Sequence, residues 1–98
     1  MKINLTQNLI GFDEKPILGP DEKPLVLKDL FLQALLVQIE GDDKMESTKK
    51  VEIWKLAQTL HRADNEIDLP LESLQLLKDR AGKIFVPAVV GPIYEIIG

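Results

Sequence analysis

Ninety-eight residues make at most one domain, and a chain that is 45% hydrophobic and 29% charged has an ordinary globular composition, which excludes global disorder. Sixteen acidic against twelve basic side chains, a formal net charge of −4, argue against a phosphate-tracking surface, which clusters Lys and Arg. The absence of cysteine excludes a disulfide scaffold and a zinc–thiolate site and fits a reducing compartment.

The start, Met1 to Asn8, is too polar for a signal-peptide core, and no apolar run approaches the ~20 residues of a membrane span. Ile3 and Leu5 alternate with polar neighbours as in a half-buried strand. Leu9, Ile10 and Phe12 follow, then Asp13-Glu14-Lys15-Pro16, which returns as Asp21-Glu22-Lys23-Pro24. Each copy precedes an apolar pair, Ile17-Leu18 and then Leu25-Val26. This pattern predicts two turns of a small β-hairpin or meander: Asp caps the turn, Glu and Lys keep it in water, and Pro fixes φ as the next strand begins.

From Lys28 the period becomes helical. Leu27, Leu30, Phe31, Ala34 and Leu35 form one face, and Leu32, Leu36 and Val37 widen it toward burial on most sides. Gly41-Asp42-Asp43-Lys44 reads as a stop and loop, its carboxylates serving solvation. A second helix starts near Glu46-Ser47 with Ile53, Leu56, Ala57 and Leu60 as its apolar row and ends within Ala63-Asp64-Asn65. Trp54 flanks that row and is expected to pack in the core. Glu66 to Leu69 alternates as a short strand, and Pro70 suits the first turn of a third helix striped by Leu71, Leu74, Leu77, Ala81 and Ile84. Gly82 permits close helix packing or marks a bend. In the final segment from Pro87, Pro92 either kinks one helix or starts another after Gly91. The fold class is α+β: a β-rich element over residues 1–27, then three to four helices over 28–98, in one domain.

Chemistry reads mostly as absences. His61 is the only histidine, and its spacing to Asp64 fits a helix C-terminal residue better than a general base. Asp64 to Asp68 alternates like a calcium loop, but Leu69 and Gln75 stand where that loop needs glycine and glutamate. No dinucleotide, P-loop or zincin motif is present. No catalytic, cofactor-binding or metal-binding residue is assigned, and no small-molecule substrate is expected. The very apolar C-terminus offers Ile93, Tyr94 and Ile97 as candidate partner-binding residues, unless they complete the core.

The run Met1-Lys2-Ile3-Asn4-Leu5-Thr6-Gln7, the Asp-x-Lys-Pro-Ile at 13–17, and Lys23-Pro24-Leu25-Val26-Leu27-Lys28-Asp29-Leu30-Phe31-Leu32-Gln33-Ala34-Leu35-Leu36 resemble small proteins encoded by tailed bacteriophages and prophages. The stretch from Glu66 through Gly82-Lys83 to Val89-Val90-Gly91 resembles their second half. That family has no established activity, so the resemblance implies a setting, the cytoplasm of a host bacterium, and assigns no site. Two departures concern turn chemistry: Asp-Glu stands where relatives often have Asp-Gly, and Pro70 where a Ser or Thr cap would open the third helix. The function expected is a non-enzymatic protein acting through protein–protein contact, as an assembly or host-interaction factor, with its own copy among the candidate partners. The alternative is a small helix-turn-helix DNA-binding regulator built on helices two and three, although the acidic balance speaks against nucleic acid.

Overall fold

Alternation of Ile3 and Leu5 with polar residues makes a strand, and the computed structural model, which describes residues 1–98, has β1 at Lys2–Asn4. Its partner lies far along the chain. β1 pairs antiparallel with β2 (Glu66–Asp68), placing Ile3 opposite Ile67. Two bonds extend the ladder: Leu5 N–H donates to the Asn65 carbonyl at 2.7 Å and Leu69 N–H to the Met1 carbonyl at 2.9 Å. Ile3 and Leu5 are both buried, so this inner face belongs to the core.

Residues 8–26 contain the two expected reversals, with bridges between Ile10 and Pro16 and between Leu18 and Pro24. A third bridge, Asn8 to Val26, closes them into a ring. Ile17 N–H donates to the Leu9 carbonyl, Leu25 N–H to Ile17, and Leu9 N–H to Leu25, at 3.0, 2.8 and 3.0 Å. A second set repeats the cycle: Gly11 N–H to Lys15, Gly19 N–H to Lys23, and Leu27 N–H to Gln7. Each bond becomes the next on moving eight residues along the chain, with the third copy returning to the first. The repeat is therefore longer than its Asp-Glu-Lys-Pro. It runs from Leu9 to Pro16 and from Ile17 to Pro24, with a third, shorter copy from Leu25 to Leu27.

Both glycines of the repeat sit in close quarters, where a side chain would be tight. A Cβ at Gly11 would lie 3.1 Å from Asp13 Oδ1 and 3.2 Å from Ile17 Cγ1. At Gly19 it would meet the equivalent atoms, Asp21 Oδ1 at 3.3 Å and Leu25 Cδ2 at 3.0 Å. The aspartates cap the turns as their chemistry suggests: Asp13 Oδ1 accepts from Lys15 N–H, and Asp21 Oδ1 from Lys23 N–H.

Four helices follow: α1 (Leu27–Leu36), α2 (Ser47–Arg62), α3 (Leu71–Ile84) and α4 (Pro87–Ile97). A one-turn 3₁₀ helix at Asp42–Lys44 joins the first two. The class is thus α+β, a short β element followed by a helical bundle. α1 is central, with α2 and α3 packed on it and α4 on α3. Phe31, Leu27, Leu60, Leu77 and Ile93 are wholly inaccessible and anchor one core that also takes Ile3, Leu5 and Leu9.

Neither α1 nor α2 ends on a left-handed glycine; Val37 and Ala63 leave the helix in extended conformation. Their terminal carbonyls meet cations from elsewhere, which suits the negative end of a helix. Lys28 Nζ donates to the carbonyls of His61 and Ala63 at 2.8 and 2.7 Å. Arg80 serves α1, as described below.

α4 resolves the choice at Pro92: the residue lies inside one continuous helix begun by Pro87. Proline there removes the bond to the Ala88 carbonyl, and Ala88 is exposed, so water can meet that group. No helix is long and apolar enough to cross a membrane.

Candidate functional site

An open concavity lies where α1 gives way to α2. α1 stops at Leu36, the chain runs out through Val37, and Gly41 reverses it at φ +95° before the 3₁₀ turn. The result is an open cleft of about 450 Å³ with Leu36, Val37, Met45, Ile53 and Trp54 on its walls and Asp42 and Arg80 at its base.

Arg80 holds this shape. It rises from α3 on the stripe of Leu77 and Ala81 and is only 6% exposed. Its Nε donates to the Ala34 carbonyl at 2.7 Å, and Nη2 to Leu35 and Val37 at 3.2 and 2.9 Å. Nη1 and Nη2 together grip the Asp42 carboxylate at 3.1 and 3.2 Å. Asp42 Oδ2 also accepts from Ile39 N–H at 2.8 Å. One planar guanidinium thus satisfies the end of α1 and fixes the loop that follows it. The Arg80 hydrogen bonds, then that from Ile39, hold the Asp42 carboxyl below its ordinary 3.8.

These positions correct three expectations. Asp42 is not a solvating loop carboxylate; it is the partner of a buried arginine. α1 is not covered on most sides, because Leu36 is 60% exposed at the cleft rim. Trp54 is not a core residue, because its side of α2 is shared with the polar Lys50, Gln58 and His61, and it stands 54% exposed at the cleft mouth.

Of the C-terminal candidates, Ile93 and Ile97 are buried in the core at 0% and 3% exposure, and only Tyr94 reaches the surface. The Tyr94 hydroxyl donates to the Lys78 carbonyl at 3.1 Å, and Lys78 Nζ lies 5.8 Å from its ring centre. The His61 side chain is exposed, and its backbone carbonyl accepts from Lys28 Nζ. None of Ile93, Tyr94, Ile97 and His61 lines the cleft.

The cleft residues escape a reading by periodicity for identifiable reasons. Arg80 sits three residues after Leu77 on an apolar stripe, a charge where the pattern asks for a hydrophobe, and that conflict was the available signal. Trp54 follows buried Ile53 directly, so a small error in helix phase moves it from core to surface. The lining is mixed: Leu35, Leu36, Val37, Met45, Ile53 and Trp54 are apolar, and Asp42, Asp43, Lys50 and Arg80 bring two charges of each sign. No protein-family model, curated protein or solved structure matches the chain significantly.

Proposed function

We propose that this chain is a non-enzymatic interaction protein whose partner surface is the α1–α2 cleft. The observation that carries this reading is Trp54, an aromatic left half-exposed beside exposed Leu36 and Val37 around a preformed hollow. Contiguous apolar surface with an aromatic at a pocket mouth is the usual composition of an interface anchor. The setting, a phage or prophage factor in the cytoplasm of its host, rests on the sequence resemblance. The acidic balance and the absence of nucleophiles in the cleft support contact over chemistry.

Less supports a helix-turn-helix regulator. The connection between α2 and α3 carries β2, and both helices pack on α1 instead of on each other. Of the cations on α3, Lys78, Arg80 and Lys83, Arg80 is buried and fully engaged.

Affinity capture from infected or lysogenic cells tests the proposal. Proteins retained by the wild-type chain and lost with Trp54→Ala support the cleft. Retention unchanged by Trp54→Ala contradicts it.

A further inference from the structure

The two eight-residue turns share their backbone hydrogen bonds and their Asp-Glu-Lys-Pro, and apart from the aliphatic exchanges Leu9/Ile17 and Ile10/Leu18 they differ at one position. The first turn has Phe12 where the second has Pro20. Glu14 N–H donates to Gly11 as Glu22 N–H does to Gly19, the pattern of a three-residue hairpin loop built on a type I turn. Proline is favoured at that position of such a turn. The fold's requirement is therefore met without an aromatic. Phe12 nonetheless stands 97% exposed, the most exposed large apolar side chain of the protein. A bare ring on a hydrogen-bonded tip adds nothing to the core.

The cleft is its complement. It offers apolar walls around Trp54 and a volume of about 450 Å³, enough to receive a phenyl ring and part of its turn. The charges do not oppose this fit. Phe12 is followed by Asp13, Glu14 and Lys15, a net of −1. α2, which forms the cleft wall, carries Lys49, Lys50, Lys55 and Arg62 against Glu52 alone, in a chain whose net charge is −4. Lys49 pairs with Glu52 at 3.6 Å, while Lys50 and Lys55 have no carboxylate partner. Of these cations only Lys50 lines the cleft, where Asp42 and Asp43 balance it and Arg80, so the cleft itself is neutral.

We propose that the Phe12 tip of one copy inserts into the Trp54 cleft of a second copy, so that chains associate head to tail. This rests on the reading of the cleft as an interaction surface and names its occupant. Tip and cleft are different surfaces, so the contact is heterologous and yields rings or open chains, not a two-fold dimer. A contact this small gives a dissociation constant on the order of 0.1 mM.

Sedimentation equilibrium from about 10 µM to about 1 mM spans that range. The wild-type mean mass should rise above that of the monomer across it. Phe12→Pro, which copies the second turn, and Trp54→Ala should each stay monomeric with unchanged circular dichroism. An equimolar mixture of the two, one with an intact cleft and the other with an intact tip, should form a dimer and nothing larger. If Trp54→Ala loses helical signal, Leu36→Glu replaces it in the mixture. A wild-type chain monomeric at the highest concentration, association that survives Phe12→Pro, or a mixture that stays monomeric overturns the proposal. A monomeric chain that still captures a cellular protein through Trp54 would remove self-association and leave the cleft reading standing.

Discussion

Glu14 and Glu22, eight residues apart, occupy the same left-handed conformation, with φ of +65° and +63°. They are the only non-glycine residues with positive φ, and each closes its turn at the place where a glycine would be unstrained. Replacing either glutamate by glycine should therefore stabilise the fold by about 0.5–1 kcal/mol, the relief of strain outweighing the added freedom of the unfolded chain. The double variant should melt roughly 5–10 °C higher. Glu22→Gly, in the turn without Phe12, should do this without altering self-association. A melting temperature that falls in both single variants would contradict the turn assignment.

Arg80 links α3, the end of α1 and Asp42 through five hydrogen bonds. Arg80→Met keeps most of the volume and removes the bonds. It should lower stability by about 3–5 kcal/mol, the range for breaking a buried ion pair from one side. That is a large part of the ~5–10 kcal/mol expected for a domain this size. Arg80→Lys keeps the charge but not the planar fork and should fall between the two, measured as the midpoint of urea unfolding.

The depressed Asp42 pKa makes a signed prediction for acid. The carboxyl titrates below 3.8 in the folded state and near 3.8 unfolded. Above that range both states are ionised and the full stabilisation is present. As pH falls through it, the unfolded chain takes up the proton first, and the contribution is lost as pH passes the folded value. Wild-type stability should thus exceed that of Asp42→Asn by a constant amount near neutrality, and the gap should close below about pH 4. Asp68, lowered chiefly by its hydrogen bond with the Met1 ammonium at 2.8 Å, follows the same sign, but its exposed pair is open to salt.

Gly91 lies within α4, next to Pro92, and a Cβ there would meet nothing within 4 Å. No close approach requires a glycine, so only its cost to the helix remains. Gly91→Ala should raise stability by about 0.5–1 kcal/mol, read from thermal melting. A loss of stability would show that α4 needs a bend that alanine resists.

Residue periodicity displays the first three helices well, because each has a stripe such as Ile53, Ala57 and Leu60 that only a 3.6-residue period aligns; in α4 the apolar residues crowd all sides of the segment and Pro92 leaves one helix or two. It displayed the turns through Asp13 and Asp21, whose side chains act locally. It could not show that Ile3 faces Ile67, since nothing in a three-residue strand specifies a partner more than sixty positions away. The repeat looked like four residues because Phe12 interrupts it opposite Pro20; Gly11 and Gly19 mark its true extent. The cleft was hidden for a different reason. Its shape comes from Arg80 reaching across from α3 to a loop near Asp42, a contact between polar residues that no apolar pattern records.

Trp54 is the only tryptophan, so its fluorescence reports directly on whether the cleft is occupied. Emission and acrylamide quenching can be followed as the pure protein is concentrated from about 10 µM to about 1 mM. The wild-type emission should move to shorter wavelength and quenching should fall, while Phe12→Pro changes in neither respect. A wild-type spectrum and quenching constant that stay the same at every concentration would contradict occupation of the cleft by a second copy.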